Sequence, residues 1–241
     1  MATLHLTENR IAGRIADRRA KATVLGAALL ACCVPAAFLS LGAALMMAAF
    51  VAIVWFATMV SLGDSKDACG AAGEQRTEKI LSQLPDEYHV FNQVPLPNPR
   101  GRANEADFVV VGPTGLFVIE NKDYSGTPVG NGSGNWALKK IGRRGTPYES
   151  TTRNPVAQVN KHVQLLRQQI DKAEIKAWIT PLVALSRDNN TEMIDSPKVQ
   201  VVQTSWLPAT IRANRQSLSA GDVYKLVGFV EGLRRNFPKG V

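Results

Sequence analysis

No cysteine follows Cys69, and the three in the chain, Cys32, Cys33 and Cys69, form no CxxC pair. A disulfide framework and a cysteine-based zinc motif are therefore excluded beyond residue 69. The only histidines, His5, His89 and His162, are too scattered in sequence to suggest a histidine-based metal site. No internal repeat recurs, which argues against a solenoid or an array. Charge is absent altogether from Thr23 to Leu62, a run of mostly Ala, Leu, Val, Met and Phe.

That run is about twice the ~20 residues that one bilayer crossing requires. It predicts two transmembrane helices near 22–39 and 43–61, with a tight turn at Phe38–Gly42 and Trp55 as an interfacial anchor. Two alternatives are weaker. A signal peptide would end at a cleavage site, and this run continues well past any such site. A hairpin buried in a soluble protein would show a polar face on each helix, and none is evident. The basic flank Arg10, Arg14, Arg18, Arg19 and Lys21 should stay in the cytoplasm. A hairpin returns the chain to the same side, so the expectation is a protein of a bacterial inner membrane with its soluble portion cytoplasmic. The organisation reads as a basic segment 1–22, a hairpin 23–62, a linker 63–72 and one domain 73–241.

The formal net charge is +8, and part of that excess lies in the N-terminal flank. The remainder is mildly basic, which permits nucleic-acid binding without requiring it. Beyond the linker, Ile80, Leu81 and Leu84 give a helix an apolar stripe, with Glu74 in its first turn. Tyr88–Leu96 reads as a strand. Two apolar runs joined by Gly112-Pro113-Thr114-Gly115 read as a hairpin. Asn154 followed by Pro155 caps a helix to about residue 173. Residues 176–185 and 199–203 read as strands, and 219–235 as a closing helix. The fold class is a mixed α/β (α+β) sheet protein with the order helix, strand, strand, strand, helix, strand.

The hairpin carries Asp107 on its first strand and Glu120-Asn121-Lys122 at the end of its second. Residues two apart in a strand share a face, so Glu120 and Lys122 project together. Carboxylates at Asp107 and Glu120 suit a hard divalent cation, magnesium or manganese in its place. Lys122 would orient a water or offset phosphate charge. Glu74 is the further acid that could reach the ion. An ExK triplet alone recurs by chance, and a cross-strand ion pair of Asp107 with Lys122 is the bland alternative. The Gly-rich segment after Tyr124 carries Lys139, Lys140, Arg143 and Arg144. Those bases are candidate phosphate contacts, or a solvated loop, on a further hairpin begun by Trp136.

Taken together, Gly73-Glu74, the stretch VVVGPTGLFVIENKDYSG, Trp136, and Asn154-Pro155 followed by Gln158 and His162 closely resemble the nuclease-related domain NERD. That domain is similar to the PD-(D/E)xK restriction-endonuclease-like superfamily. The resemblance covers about residues 70–185. It implies an αβββαβ core, a divalent metal, phosphodiester hydrolysis, and a site of Glu74, Asp107, Glu120, Lys122 and Gln158. The family's Gln-Ile-Asp-His stands here as Glu105-Ala106-Asp107-Phe108, and its Glu-Thr-Lys as Glu120-Asn121-Lys122. Three functions follow as expectations. The first is a membrane-anchored, magnesium-dependent nuclease acting on DNA or RNA. The second is a tethered nucleic-acid-binding module that does not cut. The third is a membrane scaffold whose small-residue helices pack into a homo-oligomer. The catalytic reading requires the Asp107 and Glu120 carboxylates to share one cleft with Lys122.

Overall fold

A computed structural model describes residues 1–7, 10–31, 41–63, 66–98, 103–187, 189 and 191–236. The chain divides into two compact units, Glu8–Ala72 and a larger one made of Met1–Thr7 with Gly73–Val241.

The smaller unit contains helices α1 (Arg10–Ala31) and α2 (Leu41–Gly63). Leu25, Gly26 and Leu29 of α1 lie across a small apolar cavity from Phe50, Val54 and Trp55 of α2. Among the described residues no helix is long and apolar enough to cross a membrane. The expected crossings therefore need correction. Helix α1 begins at Arg10 and not near residue 22, so its first half carries the basic cluster. The rest of the first expected crossing, 32–39, lies outside the described residues, as does most of the expected turn. Helix α2 is uncharged over its 23 residues.

The expected linker is also replaced in part. Helix α3 (Lys66–Leu81) starts well before Glu74, because Ala68, Ala71 and Ala72 favour helix. Its residues from Gly73 onward belong to the larger unit.

The larger unit is built on a six-stranded mixed sheet of order β1-β2-β3-β4-β8-β10. Strand β1 (Thr3–His5) pairs in parallel with β2 (His89–Pro97) at the edge. Strands β2, β3 (Ala103–Gly112) and β4 (Gly115–Lys122) are antiparallel neighbours. The β3–β4 turn is the expected Gly112–Gly115 tetrad. Only glycine suits position 112, because the Tyr88 ring occupies the space that a Cβ would take.

A second, four-stranded sheet follows β4. It consists of β5 (Thr127–Asn131), β6 (Trp136–Ile141), β7 (Pro147–Thr152) and the short β9 (Ile194–Asp195). The chain then returns through helix α4 (Pro155–Lys172) to β8 (Ile179–Leu185), which runs parallel to β4 with Glu120 opposite Val183 and Lys122 opposite Leu185. Strand β10 (Gln200–Gln203) extends the sheet in parallel, and helices α5 (Leu207–Arg212) and α6 (Ala220–Asn236) complete the unit. The helix and strand order expected for the core is present, with the small sheet inserted before α4.

Alternation along the strands builds two cores. Val109, Val111, Leu116 and Val118 pack with Val159 and Leu166 of α4 and Leu226 and Val230 of α6. On the other side, Phe108, Val110, Phe117 and Ile119 pack with Leu81 of α3 and Leu207 and Ile211 of α5. All of these side chains are buried, and at about 25 cal/mol per Å² of apolar surface such burial dominates the stability of the unit.

Asn154 ties the small sheet to α4. Its Oδ1 accepts from the Val156 and Ala157 N–H groups at 2.9 and 3.3 Å. Its Nδ2 donates to the Asn131 carbonyl at 3.1 Å. Asn154→Ala should cost about 1–2 kcal/mol, read as a lower urea midpoint at unchanged slope. Asn154→Asp should lose less, because the cap acceptor survives. Equal losses for the two variants would mean that the cap contributes little.

Candidate metal centre

The sheet alternation slips by one residue at a single level. On β2, Phe91, Val94 and Leu96 all belong to the α4-side core. On β3, Ala106 and Val109 share that core, while Phe108 lies in the other. Register is kept on both sides of the slip, with Asn92 opposite Phe108 and Val94 opposite Ala106. Gln93 and Asp107 are the residues left between those pairs. Gln93 adopts φ +48 although it is not glycine, a strained conformation of the kind that persists where the surroundings enforce it.

The β3–β4 ladder ends at the same level, at the Phe108–Ile119 pair. The next donor along β4, the Asn121 N–H, goes instead to Asp107 Oδ2 at 2.7 Å. The Asn121 side chain points the other way and accepts from Thr77 Oγ1 of α3 at 2.7 Å. Helix α3 comes close here because position 73 is glycine. A Cβ there would lie 2.8 Å from Asp123 Cβ and from Ser186 Oγ. Glu74, next in the helix, accepts from Gln93 Nε2 at 3.3 Å.

Glu120 is 1 % exposed. Its Oε1 accepts from Lys122 Nζ at 2.6 Å. Its Oε2 lies 3.2 Å from His162 Nδ1 of α4. That contact is a buried ion pair short of full hydrogen-bond alignment.

Charge follows from this packing. Burial, and then Glu120, hold the Asp107 carboxyl well above the usual carboxylate range, against the pull of Lys122 and the Asn121 N–H; Glu74 adds to the rise. Burial also opposes ionisation of Glu120, but His162 and Lys122 overcome it and leave that carboxyl below its ordinary value. Burial opposes the charge on Lys122, and Glu120 and Asp107 outweigh it, so the ammonium is held more firmly than usual.

A bound cation fits this arrangement in part. Two neighbouring carboxylates are what a hard divalent ion takes, the rest of its shell being water or phosphate oxygen. Among the described residues no group of three His, Cys, Asp or Glu side chains could hold a metal ion. The protein would therefore supply two ligands, Asp107 and Glu120.

The remaining candidates lie as follows. Gln158 is half-buried on α4, one turn before His162, and its side chain makes no hydrogen bond among the described residues. Lys139 and Lys140 are on β6, and Arg143 and Arg144 form the exposed tip of the β6–β7 hairpin. Among the described residues no contact joins these four bases to Glu120 or Lys122. Phe108, standing where histidine was expected, is a core residue packed with Phe117 and Ile119 on the far side of the sheet from α4.

Two site residues were not among the sequence candidates. His162 carried a signal, its four-residue spacing from Gln158. Gln93 carried none, since only the register places it opposite Asp107.

Residues 69–186 match the family NERD, the nuclease-related domain. The matched segment contains every residue placed at the site above. An uncharacterized protein of Bacillus anthracis is 31% identical over 125 residues, which is 50% of this chain and 57% of that relative. The chain thus spans little more than half the length of the curated relative it matches. No solved structure matches. The match gives residues 69–186 a likeness to a nuclease-related domain.

The raised Asp107 carboxyl has a stability consequence in the absence of metal. A folded-state pKa above the unfolded one contributes stability at low pH, and that stability is lost as pH rises through the folded pKa. Asp107→Asn removes the penalty and keeps an oxygen for the Asn121 N–H. In EDTA at neutral pH the variant should therefore melt above the wild type, with the gap closing as pH falls to the ordinary carboxylate range. A variant that melts at or below the wild type across the series would contradict the raised value.

Proposed function

We propose that the larger unit is a metal-dependent nuclease that hydrolyses phosphodiester bonds of DNA or RNA, with a restriction-endonuclease-like core. The observation that carries this reading is the convergence of Asp107, Glu120 and Lys122 at one sheet level, with Glu120 buried between Lys122 and His162. Asp107 and Glu120 would hold magnesium or manganese through their carboxylates. When bound, that ion supplies an acidified water and offsets charge developing on phosphorus. Lys122 orients the attacking water or neutralises a phosphate oxygen. Glu74 and Gln93, bonded to each other, stand on the α3 side, and His162 pairs with the far edge of Glu120. Gln158 is the remaining polar group on the α4 side from which substrate could be contacted.

The test is cleavage of labelled DNA and RNA by the purified full chain. Cleavage should need magnesium or manganese and stop with EDTA. Lys122→Ala should lower the rate by about a hundredfold or more, and Glu120→Gln should reach background. Cleavage that survives EDTA, or is unchanged in Glu120→Gln, removes this assignment.

A second reading, nucleic-acid binding without cleavage, is supported by Arg143 and Arg144, which are exposed on a hairpin tip away from the carboxylates. It predicts salt-sensitive binding that Glu120→Gln leaves intact.

We also propose that the helix pair attaches the protein to a membrane with the nuclease-related unit in the cytoplasm. The support is the apolar surface of α2, where Met46, Ile53 and Phe56 are 74, 67 and 65% exposed. Soluble proteins rarely leave such patches uncovered. Wild-type chain should co-sediment with lipid vesicles in neutral buffer, and Ile53→Asp with Phe56→Asp should release it. Recovery of wild-type chain in the supernatant would refute the attachment.

A further inference from the structure

A second polar feature of the larger unit is unused by the carboxylate centre. Strands β4, β8 and β10 are parallel, and their carboxyl ends lie side by side at Lys122, Leu185 and Gln203. In open sheets of this kind ligands collect outside the carboxyl ends of the strands. Here a cleft of about 670 Å³ opens at those ends, lined by Arg76 and Lys79 of α3, Ser186 and Arg187 after β8, Gln203 at the end of β10 and Ser205 after it. Among the described residues no acidic side chain lines it.

The two arginines are held by one carboxylate. Asp123 Oδ1 accepts from Arg76 at 2.8 Å and Asp123 Oδ2 from Arg187 at 2.9 Å. Arg76 also donates to the Ser186 carbonyl at 3.0 Å, and Ser186 Oγ donates to Asp123 at 2.7 Å. Asp123 thus orients both guanidinium groups. Arg76, Lys79 and Arg187 line one open cleft, and side-chain hydroxyls and an amide lie beside them. Planar guanidinium forks match phosphate oxygens.

The position of the cleft narrows the choice of anion. Ser186 N–H donates to the Lys122 carbonyl at 2.9 Å, and Asp123 is the residue after Lys122. The cleft therefore begins one residue beyond the carboxylate centre, on the α3 side of the same strand ends. A chain of phosphates crossing those ends would meet Lys122 and the cleft in succession, which no single phosphate does.

We propose that the Arg76–Lys79–Arg187 cleft holds the phosphodiester backbone of the nucleic acid to one side of the position addressed by Asp107, Glu120 and Lys122. The inference rests on the nucleic-acid reading above but not on cleavage. It adds a binding track separate from the β6–β7 hairpin bases.

The experiment is fluorescence anisotropy of labelled single- and double-stranded DNA, and of RNA of the same sequence. Detergent-solubilised full chain is used in EDTA across a potassium chloride series. Lys79→Ala and Arg187→Ala should each weaken binding by about five- to tenfold whatever the sequence. Each should also lower the slope of log affinity against log salt by about 1. Lys79→Arg, which keeps the charge at an exposed position, should restore both. Wild-type affinity and slope in both alanine variants would overturn the proposal, as would absence of any binding by the wild type at low salt. Binding without cleavage by the wild type would remove the nuclease assignment and leave the cleft standing. Cleavage with unaltered slopes in the variants would do the reverse.

Discussion

A single backbone hydrogen bond organises the candidate centre. Where β3 and β4 should continue their ladder, the Asn121 N–H is taken by the Asp107 carboxylate at 2.7 Å. A ladder carbonyl would have satisfied the same donor and left Asp107 free to turn toward solvent. With the carboxylate as acceptor, Asp107 is pinned beside Glu120 and partly desolvated, and its protonation becomes dependent on its neighbours. Asn121 serves both sides of the sheet, since its side chain receives Thr77 of α3. One residue therefore couples the strand end carrying Glu120 and Lys122 to the helix carrying Glu74.

The electrostatics follow from that geometry. An ion pair at 2.6 Å between Lys122 and Glu120 would by itself be an ordinary buried pair, and such pairs are weak evidence of anything beyond packing. Asp107 makes the set unusual, because burial, and then the nearby Glu120 carboxyl, drive it toward its neutral form. Titratable groups whose environments push their pKa values apart recur at functional sites. The strained Gln93 backbone at the same level is a second, independent mark of a position whose conformation is imposed by its surroundings. On the proposed reading, a cation relieves the acidic repulsion.

Much of the larger unit was legible in the residues. The Gly112–Gly115 turn, the Asn154-Pro155 helix start and the strand ending at Leu185 all stand where local rules place them, because each depends on neighbours in sequence. The Glu120 and Lys122 pairing was equally legible, since two-residue periodicity in a strand is a local property. The basic segment 139–144 was read as part of a hairpin and forms one, although its relation to the carboxylates lay beyond local reasoning. Helix α1 shows the opposite failure. Composition marked a boundary at the end of the basic cluster, but a helix does not end where charge ends, and α1 runs through it from Arg10.

His162, Gln93 and the Asp123-held arginines come from elements far apart in the chain, and no spacing rule connects them. The sequence alone determined the helix and strand order, the turn, and which residue types could bind a cation or a phosphate, because those follow from periodicity and side-chain chemistry. Only the tertiary structure decided that Asp107 turns into the β3–β4 gap, that Gln93 stands opposite it, and that Phe108 packs in a core. Strand alternation slips at that level, and where such a slip falls is set by long-range pairing and packing that local sequence does not encode.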